Sequence, residues 1–361
     1  MNSFWKDLPR PFFVLAPMEA VTDVVFRHVV AKAAPPDIYF TEFTNATGWA
    51  HAGDKAIGGR LVKTDDEKPI VAQLWGSNPD AMVKLSKHCV RLGYHGIDIN
   101  MGCPDASAIK GGGGAQMIRT PDLAAEMIAA AKQSGLPVSV KTRLGYSHVD
   151  EWRDWLTFLL RQDIVALTIH LRTKKEMSKV PAHFELIGDI KALRDEISPD
   201  TLLVVNGDIE DRAHGEQIVR EHGVDGIMIG RGVFHDPFAF APHTPAAGGS
   251  ARGSTQNSLP EANILGADAE PGPVDSERTN EIARSREANG ADQKTILIGL
   301  LRYHLELYDE YSHLTGRPFD TLKRFFKIYV REFEGASELR DRLMHTKNTA
   351  EVRAVLDGIH A

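Results

Sequence analysis

Between residues 12 and 233 the chain alternates two kinds of apolar pattern. Runs in which apolar residues are nearly continuous recur at "FFVLAPM" (12–18), "IYFTEF" (38–43), "IVAQLWG" (70–76), "GIDINMGC" (96–103), "PVSVKTRLG" (137–145), "IVALTIHLRT" (164–173), "TLLVVNGD" (201–208) and "GIMIGRGV" (226–233). Such runs suit parallel strands that are covered on both faces. Stretches with a helical period lie between them, among them "PDAMVKLSKHCVRLG" (79–93) and "PDLAAEMIAAAKQSG" (121–135). The second puts Leu123, Met127, Ile128 and Ala131 on one face and meets a stop at Gly135. Eight βα units in about 240 residues predict an α/β fold, a (β/α)8 TIM barrel. The competing architecture is a doubly wound open sheet, which rarely needs eight such evenly spaced strands.

The pattern breaks over residues 243–295, where Gly, Ala, Ser, Pro and charge replace aromatic and β-branched residues. A segment of that kind cannot bury enough apolar surface to offset its ordering entropy, which predicts a flexible linker, with a short weak helix over 276–288. Periodicity returns in 294–316 and 318–335, read as two amphipathic helices, the second opened by Pro318 and closed by Gly335. "ASELRDRLMHT" and "TAEVRAVLDGI" complete a small C-terminal all-α helical domain. The predicted division is 1–242 barrel, 243–295 linker and 296–361 helical domain.

Composition adds limits. Of 361 residues, 42% are apolar and 25% charged, enough to build a large core. No apolar run approaches the ~18 residues that would cross a bilayer. The first residues carry an acid and two prolines ahead of their apolar run, a poor secretory signal. The two cysteines, Cys89 and Cys103, are too few for a disulfide framework and form no CxxC pair for zinc. A cytoplasmic location with no metal is expected. The net charge of −7 disfavours a general nucleic-acid coat protein. It leaves open an enzyme that grips RNA through a local basic patch.

In a barrel, chemistry sits at the carboxyl ends of the strands. Those ends are polar here: Glu42, Gln73, Asn100, Lys141, Arg143, His170, Arg172, Asn206, Asp208 and Arg231. Ten polar residues that follow buried runs and converge on one rim predict a site, because burying them without partners is costly. "NGD" (206–208) and "GRG" (230–232), after the last two strands, suit a phosphate: glycine lets backbone N–H groups approach, and Arg231 adds charge. Lys141 can neutralise a developing anion or make a rim salt bridge. His170 can donate to a cofactor or carbonyl, or be structural. Cys103, on a turn between Gly102 and Pro104, can be a buried thiol, a nucleophile or a proton donor; Cys89, inside a helical pattern, suits inert packing. Glycines 111–114 lack the Gly-Lys-Ser/Thr of a P-loop and are expected to let a loop close over ligand.

Taken together, "APMEAVTD" (16–23), "DINMGCP" (98–104), "VKTRLG" (140–145), "IHLRT" (169–173), "VVNGDI" (204–209) and "MIGRG" (228–232) resemble the tRNA-dihydrouridine synthases. The likeness covers about residues 12–242, and "LKRFFKIYVREFEGASELRDRL" resembles that family's C-terminal helical RNA-binding domain. The resemblance implies FMN as cofactor, NADPH as reductant and tRNA as substrate, with no membrane and no evident obligate protein partner. By the same likeness, Pro17, Met18 and Glu19 lie along the flavin. Gln73 meets its isoalloxazine edge, Lys141 its N1/O2 side, and His170 approaches it. Asn206, Gly207, Asp208, Gly230 and Arg231 hold ribityl and phosphate, and Cys103 matches the catalytic acid. Asn100, Arg143 and Arg172 are expected to face substrate.

The implied reaction reduces the C5=C6 bond of uridine: hydride from reduced flavin N5 goes to C6, and the resulting enolate takes a proton at C5. A thiol on a loop above the base suits that proton transfer, and Lys141 would stabilise the anionic reduced flavin. Residues 296–361 hold ten Lys or Arg and ten Asp or Glu, so bulk charge cannot draw RNA there. On the helix expected from 318, Leu322, Phe325, Phe326, Tyr329 and Phe333 form the apolar stripe. Lys323, Lys327 and Arg331 recur four apart on another face with Arg324 beside them, a candidate phosphate-contacting strip. Two positions depart from the family pattern: Ala106 stands where a lysine often follows Cys-Pro, with Lys110 further on, and Leu171 replaces glycine after His170. Two other readings are a flavin oxidoreductase of free pyrimidines and a non-catalytic RNA-binding barrel. The C-terminal helices disfavour the first; Cys103, Lys141 and the glycine turns disfavour the second.

Overall fold

The computed structural model describes residues 3–242 and 293–359. Its strands are β1 (Phe12–Leu15), β2 (Tyr39–Phe40), β3 (Thr44–Asn45), β4 (Ile70–Trp75), β5 (Gly96–Met101), β6 (Val138–Arg143), β7 (Ala166–His170), β8 (Leu202–Asn206) and β9 (Gly226–Ile229). All pairings are parallel, in the order β1-β9-β8-β7-β6-β5-β4-β2, with β3 beside the end of β4. The bridge Val14–Ile38 returns β2 to β1, and Leu15 N donates to Ile38 O at 3.2 Å. The eight strands of the path thus form a nearly closed TIM barrel with helices between them, as the alternating pattern predicted. Inside it Phe12, Val14, Phe40, Val204 and Met228 pack as one cluster with Trp5, separate from the larger core between strands and helices.

Local chemistry explains the element ends. Asn78 accepts from Ala81 N at 2.9 Å and Pro79 occupies the first turn, which starts the helix Pro79–Arg91. The 121–135 pattern folds as Pro121–Lys132 and leaves at Gly135, whose φ of 81° is left-handed. Each predicted strand run proves longer than its strand, because its last residues turn out of the ladder to form the rim.

The C-terminal region is helical but differs from expectation in two places. A helix runs Gln293–Thr315, so the last three residues expected in the linker are helical; 243–292, with the helix expected over 276–288, lie outside the described residues. The segment 318–335 is not one helix. A 3-10 stretch Phe319–Phe325 passes into a single turn, Phe326–Tyr329, and Glu332 takes a φ of 59°. Gly335 precedes the helix Ala336–Met344 instead of closing the segment before it. The cause is burial: Ile328, Tyr329 and Val330 are each 0% exposed, and three consecutive buried residues cannot share one face of a surface helix.

This region shares the barrel's outer core. The Phe26 ring, on the helix Val24–Ala33, lies 4.8 Å from Phe325 and 5.9 Å from Phe234, and the buried His304 Nδ1 pairs with the Tyr329 hydroxyl at 2.7 Å. Arg317 Nη2 reaches Glu42 Oε1 at 2.5 Å, and Glu42 is wholly buried. The same Glu42 oxygen accepts from Ala20 N, so the loop after β1 is tied to the C-terminal region.

Candidate active site at the rim of the barrel

A cavity of about 430 Å³ opens at the carboxyl ends of β1, β6, β7, β8 and β9. Its walls include Pro17, Met18, Lys141, His170, Asn206, Gly207, Asp208, Gly230 and Arg231. Parallel register brings them together: Arg143 pairs with His170, and His170 with Asn206. Asn206 Nδ2 donates to Met228 O at 2.8 Å, which turns its Oδ1 to accept from Lys141 Nζ at 3.1 Å. Gly207 has a φ of 118°, and a Cβ there would stand 3.3 Å from that of Ala182. Asp208 follows in the left-handed region at φ 49°. Its carboxylate accepts from Arg172 Nη2, from Arg231 Nη2 at 2.8 Å and from Ala182 N at 3.0 Å.

The electrostatics are cationic. Burial, then the charge of Arg143, brings Lys141 down to about 8, with Asp98 opposing. Burial, followed by the charges of Arg143, Lys141, Arg172 and Arg231, pushes His170 well below the ordinary histidine range, so the ring is neutral at physiological pH. Arg143 Nη1 donates to His170 Nδ1 at 3.5 Å, which leaves the ring hydrogen on Nε2.

A second cavity, of about 570 Å³, lies alongside: Met18 borders the first and Glu19 the second. Glu19, Asn45, Arg60, Trp75, Cys103 and Asp105 are among its lining residues. Glu19 forms an ion pair with Arg60 there. Cys103 is half-buried; desolvation raises its pKa, and the backbone N–H of Asp105 with the charges of Arg143 and Lys141 only partly opposes this, so the sulfur is held as a thiol. Its N–H and that of Gly102 donate to Asn100 Oδ1 at 2.9 and 3.1 Å. The glycine run, expected to let a loop close over ligand, packs closely in this structure. A Cβ on Gly113 would lie 2.7 Å from the Trp75 ring and one on Gly114 2.7 Å from Cys103 O, so these residues let the loop press against Trp75 and Cys103. Cys89 is buried in its helix, its thiol pushed up to about 12 by burial.

Other expected residues fall differently. Gln73 and Asn100 are buried and bonded to each other, Asn100 Nδ2 donating to Gln73 Oε1 at 3.0 Å. Arg143 and Arg172, expected to face substrate, are 7% and 2% exposed and point at protein acceptors. Arg143 donates to Gly102 O, Thr173 O and Met177 O, and Arg172 to Val180 O and Asp208. With its helix absent, the basic strip is dispersed. Lys323 pairs with Asp320 at 2.8 Å, Arg324 donates to Ala20 O at 3.1 Å, and Lys327 is exposed. Leu171 is buried in the outer core, its bulk directed away from the cavity lining, while Ala106 and Lys110 are exposed on the short helix after Cys103. Sequence reading missed Arg60, Arg317 and Asp98. The first two lie outside the strand ends, and Asp98 is hidden inside an apolar run.

Among solved structures, that of the old yellow enzyme homologue from Zymomonas mobilis is similar at a TM-score of 0.42 and 15% identity, over 62% of this chain and 86% of that one. The chain is 52% identical to the "Probable tRNA-dihydrouridine synthase 2" of Bacillus subtilis over 357 residues, 99% of this chain and 96% of the relative. It is 50% identical to a "Probable tRNA-dihydrouridine synthase" of Staphylococcus epidermidis over 361 residues, 100% of this chain and 97% of the relative. The family model for dihydrouridine synthase (Dus) matches residues 14–360, and with these identities the chain belongs to the dihydrouridine synthase family.

Proposed function

We propose that this chain reduces uridine in tRNA to 5,6-dihydrouridine, using FMN and NADPH. The observation that carries the reading is a thiol held protonated on the wall of one cavity, within electrostatic reach of a half-buried lysine that lines the next. FMN suits the first cavity. Four cations and a neutral histidine surround it or stand behind its wall, and Gly207 and Gly230 leave its backbone walls open to a flat ring and a phosphate. When bound, the flavin supplies the electron pair taken from NADPH.

The chain's own groups do the rest. Arg231 and the Gly230–Gly232 turn would hold the phosphate, with Asn206 and Gly207 beside the ribityl chain. Lys141 would hold the pyrimidine edge of the flavin, and neutral His170 offers Nε2–H to an acceptor. The uracil would occupy the Cys103 side, where the thiol gives its proton to C5 and regains one from solvent. The mostly protonated state that burial imposes is the one a donor needs. The helical region, residues 296–361, would dock the rest of the tRNA, with Lys327 exposed toward phosphate.

Cys103→Ala tests the assignment. The variant should retain FMN and accept electrons from NADPH, yet form dihydrouridine ~10²- to 10⁴-fold more slowly in single turnover. Normal turnover by that variant would remove the thiol from the mechanism.

A further inference from the structure

Asp98 lies in the middle of β5, wholly buried, and no step above uses it. Its Oδ1 accepts from Ser139 Oγ at 2.6 Å and its Oδ2 from Gln73 Nε2 at 2.7 Å. Burial raises the Asp98 carboxyl to about 6, which leaves it ionised at neutral pH with no hydrogen to give, so the NH2 end of Gln73 must face it and the carbonyl end must point the other way. That carbonyl meets Asn100 Nδ2 at 3.0 Å, which in turn directs Asn100 Oδ1 at the N–H groups of Gly102 and Cys103. One carboxylate therefore sets the orientation of two amides, and the second amide holds the turn that presents the thiol. Asp98, Gln73 and Asn100 lie on two adjacent strands, since Gln73 and Asp98 are register partners in β4 and β5.

We propose that Asp98 is a positioning residue for Cys103, acting through Gln73 and Asn100 to fix the Gly102–Cys103 turn. The geometry stands on the structure alone; its link to proton delivery rests on the function proposed above. Without the carboxylate, Gln73 can take either amide orientation. In one of them its NH2 faces the NH2 of Asn100, two donors with nothing between them. Asn100 then loses its anchor, and the turn loses the acceptor shared by its two N–H groups.

The test uses the FMN-loaded full-length protein with Asp98→Ala and Asn100→Ala, singly and together. Amide exchange at Gly102 and Cys103, followed without tRNA or NADPH, should quicken ~10-fold in Asp98→Ala. The single-turnover transfer to tRNA uridine should slow ~10- to 100-fold, as for a misplaced reacting group, with flavin reduction by NADPH held within ~3-fold. The double variant should be no worse than Asn100→Ala. Additive losses, or exchange at the parental rate, would overturn the proposal. Should Asp98→Ala not fold, Gln73→Leu cuts the same chain at its centre with a side chain of similar volume. Faster exchange at Gly102 and Cys103 then supports the relay and unchanged exchange overturns it. A parent protein that makes no dihydrouridine would refute the proposed function while leaving the exchange result to judge the relay.

Discussion

Arg317→Met separates the barrel from the C-terminal region at one ion pair, and the structure sets its cost. Glu42 is 0% exposed and Arg317 19% exposed, so the carboxylate is the partner that cannot regain water. Removing one member of a buried pair typically costs ~3 to 5 kcal/mol, chiefly because the other charge stays buried. Glu42 keeps the Ala20 N–H, which places the expected loss near the lower end, about 3 kcal/mol. Desolvation raises the Glu42 carboxyl above its ordinary range, and Arg317 is the first opposing influence. Without Arg317 it rises further, and the ionised form becomes the costly one. A carboxyl raised in the folded state contributes stability that is full below its unfolded pKa and lost as pH rises through its folded pKa. The deficit of Arg317→Met should therefore be largest near neutral pH and shrink as the solution is acidified. Glu42→Gln in the same chain should recover most of it. Urea unfolding at about pH 8 and about pH 5 reads both effects. A variant within ~1 kcal/mol of the parent at both pH values, or one worse in acid, would refute the reasoning.

Asp208→Asn gives a sign test at the cavity: it removes a negative charge from an anion site, yet FMN affinity should fall ~5- to 10-fold because a neutral amide anchors Arg231 less firmly than the carboxylate. Tighter binding in a fluorescence titration would mean that the carboxylate only repels. Lys141, brought down to about 8, should make flavin affinity decline as pH rises from about 7 to about 9, because binding to its neutral form must draw in a proton. Lys141→Met should flatten that profile, and a surviving slope would assign it elsewhere. Lys327→Glu should weaken tRNA binding and lower its salt slope by about one, while FMN content is unchanged. Lys323→Glu should do less, since Asp320 already pairs with Lys323; equal effects would count against the distinction.

The barrel was legible because parallel strands covered on both faces leave an unmistakable trace: every predicted run contains a strand, from Phe12–Leu15 to Gly226–Ile229. The cavity residues were legible for a related reason. Lys141, His170 and Asn206 each interrupt or end an apolar run where a buried polar side chain needs a partner. Orientation was not legible. Arg143 and Arg172 occupy rim positions in the sequence, yet carbonyls from the loops after β5 and β7 turn their guanidiniums into the protein. The segment 318–335 misled because its basic residues recur at helical spacing, while "KIYV" buries consecutive side chains, a demand that only the tertiary core reveals. Arg60 and Arg317 could not be found by position, because their partners, Glu19 and Glu42, lie 41 and 275 residues away.

The inward turn of those arginines has an energetic consequence for the site. Lys141, Arg143, Arg172 and Arg231 all act on His170, and each lowers its affinity for a proton. Of the nearby carboxylates, Asp208 is shared between Arg172 and Arg231, and Asp98 stands behind the cavity wall, bonded to Ser139 and Gln73. Four cations thus gather around one neutral histidine, in a chain whose net charge is −7. Desolvation, followed by repulsion from Arg143, explains why Lys141 gives up its proton so readily. A ligand that brings negative charge into this cavity relieves that repulsion, which is why the local field, and not the overall charge, decides what the rim can bind.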